Sequence, residues 1–539
     1  MERFSEEQLN KLDGSALVTL VMTLQEQLKV TNDANEALRE QIEKLTEQVM
    51  LMNTRQYGRS SERALPSDDQ FSIYDFGFNE AETLIQGELI SEPDSDTVII
   101  PEHKRRKRKG KRDQDLSGFP VNVIEHNLSD EELQEKFPDG YFRLPDEVYK
   151  KLERHPASYE VLEHHIAVYK GKNGEIAKAT HPKEMLNNSI ATPSLVSSIV
   201  TAKYVTGTPL YRQEQEYIRN GINISRQTMA NWVITTAERY ISLVYDRIKQ
   251  EMLESHVLHA DETPVTVLND GRTGIHKSYM WVYRTGEKCN LPPMILYDYQ
   301  KTRKADAPRE FLSGFDGILE TDGYQVYHTL EKEQDIRFRV AGCWIHARRP
   351  FAEVIKTLGK EKSKGTVAAE VYAKIEEILR KDRLLWKLPP AERKKRRKRD
   401  LEPLVDKFFK WLKEIQYKVP PQSATAKGIN YCLNQETYLK VFLDDPAVPT
   451  NNNLAEQAIR PFCVGKKNWI FIAGLQGADA SAMLYSIVET AKANNLNIYQ
   501  YIKHLLTEIP KHMDDPAGTD FITDLLPWSK ALPEECLKR

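Results

Sequence analysis

Three carboxylates on well-separated segments are the residues of this chain best suited to chemistry. Asp261 lies in Val257-Leu-His-Ala-Asp-Glu-Thr-Pro264, Asp322 in Gly317-Ile-Leu-Glu-Thr-Asp-Gly-Tyr324, and Glu456 in Asn451-Asn-Asn-Leu-Ala-Glu-Gln-Ala-Ile-Arg-Pro461. The first two follow short apolar runs that read as buried strands, and the third sits on a helical pattern. Aspartate is depleted in strands and costly to bury, so two of them beside a core need something to balance their charge. A pair of Mg²⁺ or Mn²⁺ ions would do this, since hard divalent cations prefer carboxylate oxygens and keep open positions for water and phosphate. Two such ions about 4 Å apart suit phosphodiester cleavage and transfer. The three acids therefore point to an enzyme that cuts or joins nucleic-acid strands.

Positioning these acids takes more than one core. At 539 residues the chain is too long for a single domain. With 40% hydrophobic and 29% charged residues it reads as a water-soluble protein with polar connectors. It has no apolar run of membrane-spanning length, and its start lacks the pattern of a signal peptide. Five scattered cysteines without a Cys-x-x-Cys pair suit a reducing cytoplasm and argue against a disulfide framework. The net charge of −3 hides strong local clusters.

Residues 1–53 predict a coiled-coil dimerisation helix. Leu17, Leu24, Leu38 and Leu45 occupy d positions, while Val21, Leu28, Ile42 and Val49 occupy a positions. Asn35 falls at an a position, where a buried amide favours a parallel dimer in register. An amphipathic helix packed on its own domain is the alternative. Residues 54–118 read as a linker that ends in the tract Lys104-Arg-Arg-Lys-Arg-Lys-Gly-Lys-Arg112. Lys104, Arg105, Arg106, Lys107 and Arg108 suit phosphate contacts that weaken with salt, although such a tract can also be a plain solvated tail.

Residues 119–190 read as a small domain with strands near Tyr159–Leu162 and Ile166–Tyr169. Residues 191–255 turn helical. A helix over Pro209–Asn220, a left-handed cap at Gly221 and a second helix capped by Ser225 suggest helix-turn-helix. Arg226, Gln227 and Asn231 would then face DNA bases, although any helical hairpin gives a similar pattern. Residues 256–350 carry strands at Val257–Ala260, Tyr279–Tyr283 and Met294–Tyr297, a helix near Pro308–Leu312, and strands at Gly317–Thr321 and Arg337–Cys343. That is the order of a ribonuclease-H-like α/β core, with Asp261 ending the first strand and Asp322 the fourth. Residues 351–447 read as a helical, basic insertion containing Arg393-Lys-Lys-Arg-Arg-Lys-Arg399. Residues 448–505 return to the core with the Glu456 helix, and 506–539 form a C-terminal element.

Ordered motifs carry a resemblance to a known family. Arg55-Gln-Tyr-Gly-Arg-Ser-Ser-Glu-Arg63, Pro209-Leu-Tyr-Arg-Gln-Glu214, His259-Ala-Asp-Glu-Thr-Pro264, Gly342-Cys-Trp-Ile-His-Ala-Arg-Arg349, Asn452-Asn-Leu-Ala-Glu-Gln-Ala-Ile-Arg-Pro-Phe462, Lys466-Lys-Asn-Trp469 and Asp524-Leu-Leu-Pro-Trp528 span most of the sequence. Together they resemble the large, TnpC-type transposase subunit of the insertion-sequence sixty-six family. The resemblance implies a DDE site at Asp261, Asp322 and Glu456, two divalent ions, double-stranded DNA as element ends and target, and accessory proteins encoded by the same element. That family usually carries a cysteine-rich zinc module before its helical DNA-binding part. Residues 113–190 contain no cysteine, so structural zinc is not expected.

Around the acids, Arg460 lies one turn beyond Glu456 and could neutralise a phosphate or simply orient that carboxylate. Lys466 and Lys467 would extend the basic surface, and His346, Arg348 and Arg349 follow the fifth strand and could reach DNA. Glu262 would face the far side of its strand in a structural role. Two rival readings remain: a non-catalytic sequence-specific DNA-binding protein of the same plan, and a ribonuclease-H-like nuclease that cuts without joining.

Overall fold

The computed structural model describes residues 14–15, 18–19, 21–34, 158–170, 176–178 and 183–538, apart from 275, 288, 290 and 514–517. Contacts divide the chain into a unit of residues 1–72 and 184–538 and a second unit of residues 73–183. In the second unit, β1 (Val168–Lys170) pairs antiparallel with β2 (Ile176–Lys178). The expected strand at Tyr159–Leu162 is instead irregular and exposed. In the first unit, residues 21–34 are helical and leave Val21, Leu24 and Leu28 about half exposed or more. These three residues are among the a and d positions expected from the heptad pattern. Leu17, Asn35, Leu38, Ile42, Leu45 and the tract Lys104–Arg108 lie outside the described residues.

From residue 193 the chain builds a helical layer: α1 (Pro193–Tyr204), α2 (Leu210–Arg219), α3 (Arg226–Thr236) and α4 (Ser242–Met252). The hydroxyls of Thr192 and Ser225 cap α1 and α3 by accepting from Leu195 N and Thr228 N. Gly221, with φ of 78°, provides the turn that ends α2.

A mixed sheet follows, built from β3 (Val257–Asn269), β4 (Lys277–Thr285), β5 (Ile295–Gln300), β6 (Ile318–Thr321) and β7 (Arg339–Gly342). Helix α5 (Asp306–Phe311) and helix α6 (Gln325–Leu330) connect the later strands. The spatial order is β5-β4-β3-β6-β7; β3, β4 and β5 form an antiparallel meander, and β6 and β7 add on in parallel. Contrary to expectation, β3 does not end at Asp261. It runs on to Asn269, where the short strand β8 (Ile472–Gly474) pairs beside it.

After β7 come α7 (Trp344–Leu358), α8 (Val367–Leu385), α9 (Glu402–Ile415) and α10 (Ala424–Asn434), which share a second core around Trp344, Phe351 and Phe408. The basic run in this insertion is not a solvated face throughout. Arg393 and Arg397 are buried: Arg397 pairs with Asp382 and donates to the carbonyls of Phe442, Asp445 and Val448, while Arg393 donates to Pro446. Four charge-assisted bonds to these carbonyls thus pin the segment that leads back to the sheet, while Asp382 holds the Arg397 guanidinium in place.

That loop opens α11 (Asn453–Trp469), and α12 (Leu475–Ala493) and α13 (Ile498–His512) complete the unit. Helix α12 covers β5, the edge strand. Its Ser486 hydroxyl accepts from Tyr297 N, and its Thr490 hydroxyl accepts from Ile295 N and donates to Ile295 O. Side chains thereby satisfy backbone groups that a neighbouring strand would otherwise pair. Among the described residues no helix is long and apolar enough to cross a membrane.

Candidate active site

The site forms where the sheet runs out of neighbours for β3. Pairing with β6 covers Val257 to His259, and β8 joins only at Val267. Between these points β3 has β4 on one side, and α11 lies along the other. Asn452, just before α11, donates its amide to Ala260 O at 2.8 Å, and Lys466 in its last turn donates to Pro264 O at 2.7 Å. Two side chains therefore supply the donors that a strand would have given.

Asp261 and Asp322 each lie two residues past the last β3–β6 pair, His259↔Glu320, so the ladder register carries them to matching positions. Asp322 accepts from Tyr324 N at 3.0 Å, and its carbonyl accepts from the Tyr431 hydroxyl at 2.8 Å. Gly323 between them has φ of 91°, and a Cβ there would press on Tyr431. Asp261 accepts from Glu262 N at 2.8 Å. Glu456, in the first turn of α11, lies 3.4 Å from Arg349 Nη2 and 3.7 Å from His346 Nε2.

These acids feel one another. Burial, then the charges of Glu262, Asp322 and Glu456, push the Asp261 carboxyl up to about 8. Burial and Asp322 likewise raise Glu262 to about 7, against the lowering effect of Arg303. The Glu262 side chain is buried, accepts from Arg303 Nε at 2.8 Å and lies 3.5 Å from the Tyr327 hydroxyl. The Arg303 guanidinium in turn stacks on Tyr324 at 3.8 Å, tying the loop after β5 to the Asp322 turn. Burial, then Arg349, lowers His346 to about 4, so it is neutral beside Glu456 at neutral pH.

Beneath the acids lies a polar node that the sequence reading missed. Asn452 is fully buried; its amide oxygen sits 2.9 Å from His259 Nδ1, and its backbone N–H reaches Cys343 Sγ at 3.3 Å. With Asn452 Nδ2 donating to Ala260 O, its oxygen must accept from His259, which fixes the imidazole as the Nδ1–H tautomer. Flipping the amide would set its oxygen against the Ala260 carbonyl. Through its side chain and its backbone N–H, this one residue joins the Asp261 strand, the end of β7 and the start of the Glu456 helix. The available signal was the run Asn451-Asn-Asn ahead of a helix, a capping pattern. Asn452 does not cap with its side chain, because that group holds β3.

The other expected contact residues are dispersed. Arg348 pairs with Glu376 and stacks on Tyr372, within the insertion. Arg460 is half-buried and Lys467 exposed. Arg226, Gln227 and Asn231 are exposed at the start of α3, where Gln227 donates to Asn231 at 3.1 Å and Arg226 N–H to Glu214 at 2.9 Å. Trp344 is core and donates to Leu439 O.

The donor chemistry of Asp261, Asp322 and Glu456 fits a hard divalent cation, and their mutual repulsion leaves charge for one to neutralise. Among the described residues, however, no three His, Cys, Asp or Glu side chains converge as a ligand set. Each acid is held by a local N–H or cation instead.

A mixed sheet bearing this acid constellation suits an enzyme of the transposase class. The profile described as Transposase IS66 family matches residues 188–480, its C-terminal element matches 486–528, and the profile described as Transposase C of IS166 homeodomain matches 44–124. The chain belongs to the IS66 transposase family. Among similar curated proteins, the uncharacterized protein y4qI of Sinorhizobium fredii is 29% identical over 91% of this chain and 89% of its own length. The uncharacterized proteins y4jD and y4hP of the same organism are 28% and 26% identical, over 66% and 72% of this chain and 70% and 71% of their own.

Proposed function

We propose that this protein is a DDE transposase that binds the ends of an insertion sequence, cleaves strands there and transfers the 3′-hydroxyl into target DNA, on a ribonuclease-H-like core. The observation that carries the reading is the shared register of Asp261 and Asp322 beyond the β3–β6 ladder, with Glu456 in the first turn of α11, near enough for its charge to help raise Asp261. Asp261, Asp322 and Glu456 would hold two Mg²⁺ or Mn²⁺ ions. When bound, such ions polarise the phosphodiester and make water or a 3′-hydroxyl a stronger nucleophile.

The chain's own groups would prepare that site. Asn452 fixes the start of the Glu456 helix against β3, and Tyr324 N–H and Tyr431 hold the Asp322 turn. Arg349 neutralises Glu456 before ions arrive and, half exposed, can pass to a phosphate afterwards. Neutral His346 can offer Glu456 a hydrogen bond from a ring N–H without adding charge. Arg460 and Lys467 would extend the phosphate-facing surface, α2 and α3 would read the element ends through Arg226, Gln227 and Asn231, and the tract at Lys104–Arg108 would add non-specific affinity. The N-terminal helix would bring two copies together, so that both ends are held at once.

The test is in vitro strand transfer with candidate end duplexes in Mg²⁺ or Mn²⁺. Nicked ends joined to target support the reading. Binding without nicking would favour a DNA-binding protein, and nicking without joining would favour a nuclease.

A further inference from the structure

The junction between α11 and β8 has a feature that neither packing nor turn chemistry calls for. Ile470 has φ of 66° and ψ of −53°, and Phe471 N–H donates to Trp469 O at 2.7 Å, which closes a tight γ-turn around Ile470. Turns of this sign are rare and strained, and a β-branched residue at positive φ is an outlier that glycine would relieve. The turn yields no burial in exchange. Ile470 is 70% exposed and Phe471 47% exposed, side by side at the surface.

Their surroundings are cationic. Ile470 lines a cleft of about 350 Å³ together with Pro264, Thr266, Lys277, Lys466 and Lys467, so the lining holds three ammonium groups and no carboxylate. The cleft continues the site along β3. Pro264 and Thr266 stand about 10–17 Å beyond Asp261 at roughly 3.3 Å per residue, equivalent to about three to five base steps at about 3.4 Å each. Polyanion contacts and an exposed apolar pair at that spacing match duplex DNA passing the acids, with one step unstacked by an inserted side chain.

We propose that Ile470 and Phe471 form a wedge that enters the base stack of DNA a few steps from the cleaved phosphate, with Lys277, Lys466 and Lys467 holding the flanking backbone. The inference rests on the DNA-cleaving reading and deepens it by assigning DNA distortion to a defined turn. Strain in the turn keeps the two side chains presented instead of folded back.

The test compares binding of the full chain to a fluorescent 40-base-pair duplex and to the same duplex with three central mismatches. Because mismatched bases are already unstacked, the protein is expected to bind that duplex about tenfold more tightly. In I470G/F471A the ratio should fall to about one. I470G alone should unfold at a higher temperature than the parent, since glycine relieves the turn, so a lost preference is not lost folding. A parent without preference, or a double variant that keeps it, overturns the wedge while leaving the functional reading intact. Failure of the parent to bind either duplex overturns both. A drop in sedimentation mass of the double variant would make the pair a protein contact and also overturn the wedge.

Discussion

Replacing Asn452 tests how the site is assembled. Its side chain is fully buried and makes two hydrogen bonds, to His259 Nδ1 and Ala260 O. N452A leaves both partners in the core without it. At roughly 1–3 kcal/mol for each abandoned group, and with some relief because a carbonyl can accept elsewhere, the expected loss is about 2–4 kcal/mol. N452D keeps the volume but sets a carboxylate oxygen against the Ala260 carbonyl. Near Glu456 and Asp322 its charge is unwelcome, so N452D should be at least as damaging as N452A at pH 8 and milder at pH 5, where the buried acid is protonated. Urea unfolding followed by tryptophan fluorescence, with Trp281 and Trp344 both buried, reads the stability. The start of the Glu456 helix should shift as well, raising the Mg²⁺ requirement for nicking by about 10–100-fold, as for other groups that orient metal ligands. If N452A matched the parent in urea midpoint and Mg²⁺ requirement alike, the node would be incidental and the account of how the acids are positioned would fail.

Three further outcomes are expected. Asp261 and Glu262 are raised to about 8 and about 7 in the folded chain, so between about pH 4 and 8 the unfolded chain binds fewer protons and metal-free stability should fall as pH rises; D261N should flatten that slope, and an unchanged slope would contradict the electrostatics. Arg397 is buried with Asp382, so R397M should cost about 3–5 kcal/mol in urea unfolding while K394A costs about 0.5 kcal/mol or less; equal effects would mean that the loop before α11 is not held by Arg397. Glutamate at Leu24, Leu38 and Leu45 should turn a dimer into a monomer in analytical sedimentation, and a variant that stays dimeric would place the contact elsewhere.

Much of this organisation was legible because apolar runs bounded by turn residues mark buried strands, and β4 to β7 lie within a few residues of their expected places. Ser225, Gly221 and Pro209 likewise delimit α2 and α3 through local capping chemistry. What stayed hidden depends on distant neighbours. Asp261 reads as the end of β3, since aspartate is depleted in strands, yet the strand continues and Pro264 is tolerated where β3 lacks a second strand and α11 takes its place. The cations Arg393 and Arg397 read only as members of a basic run in the insertion, and only the fold reveals the carbonyls and the aspartate that they meet. Asn452 was seen as motif but not as a node, because His259 and Ala260 are almost two hundred residues away in sequence. The Ile470 turn has no signature in composition at all.

The central claim is that Asp261, Asp322 and Glu456 act as one cation-dependent site. Its most direct measurement is Mg²⁺-dependent nicking and joining of an element-end duplex by D261N, D322N and E456Q beside the parent, with end binding measured on the same preparations. These amides keep shape and lose the charge that would hold the ions, so each should abolish cleavage and joining while end binding stays largely intact. Near-parental nicking by any one of the three would contradict the assignment.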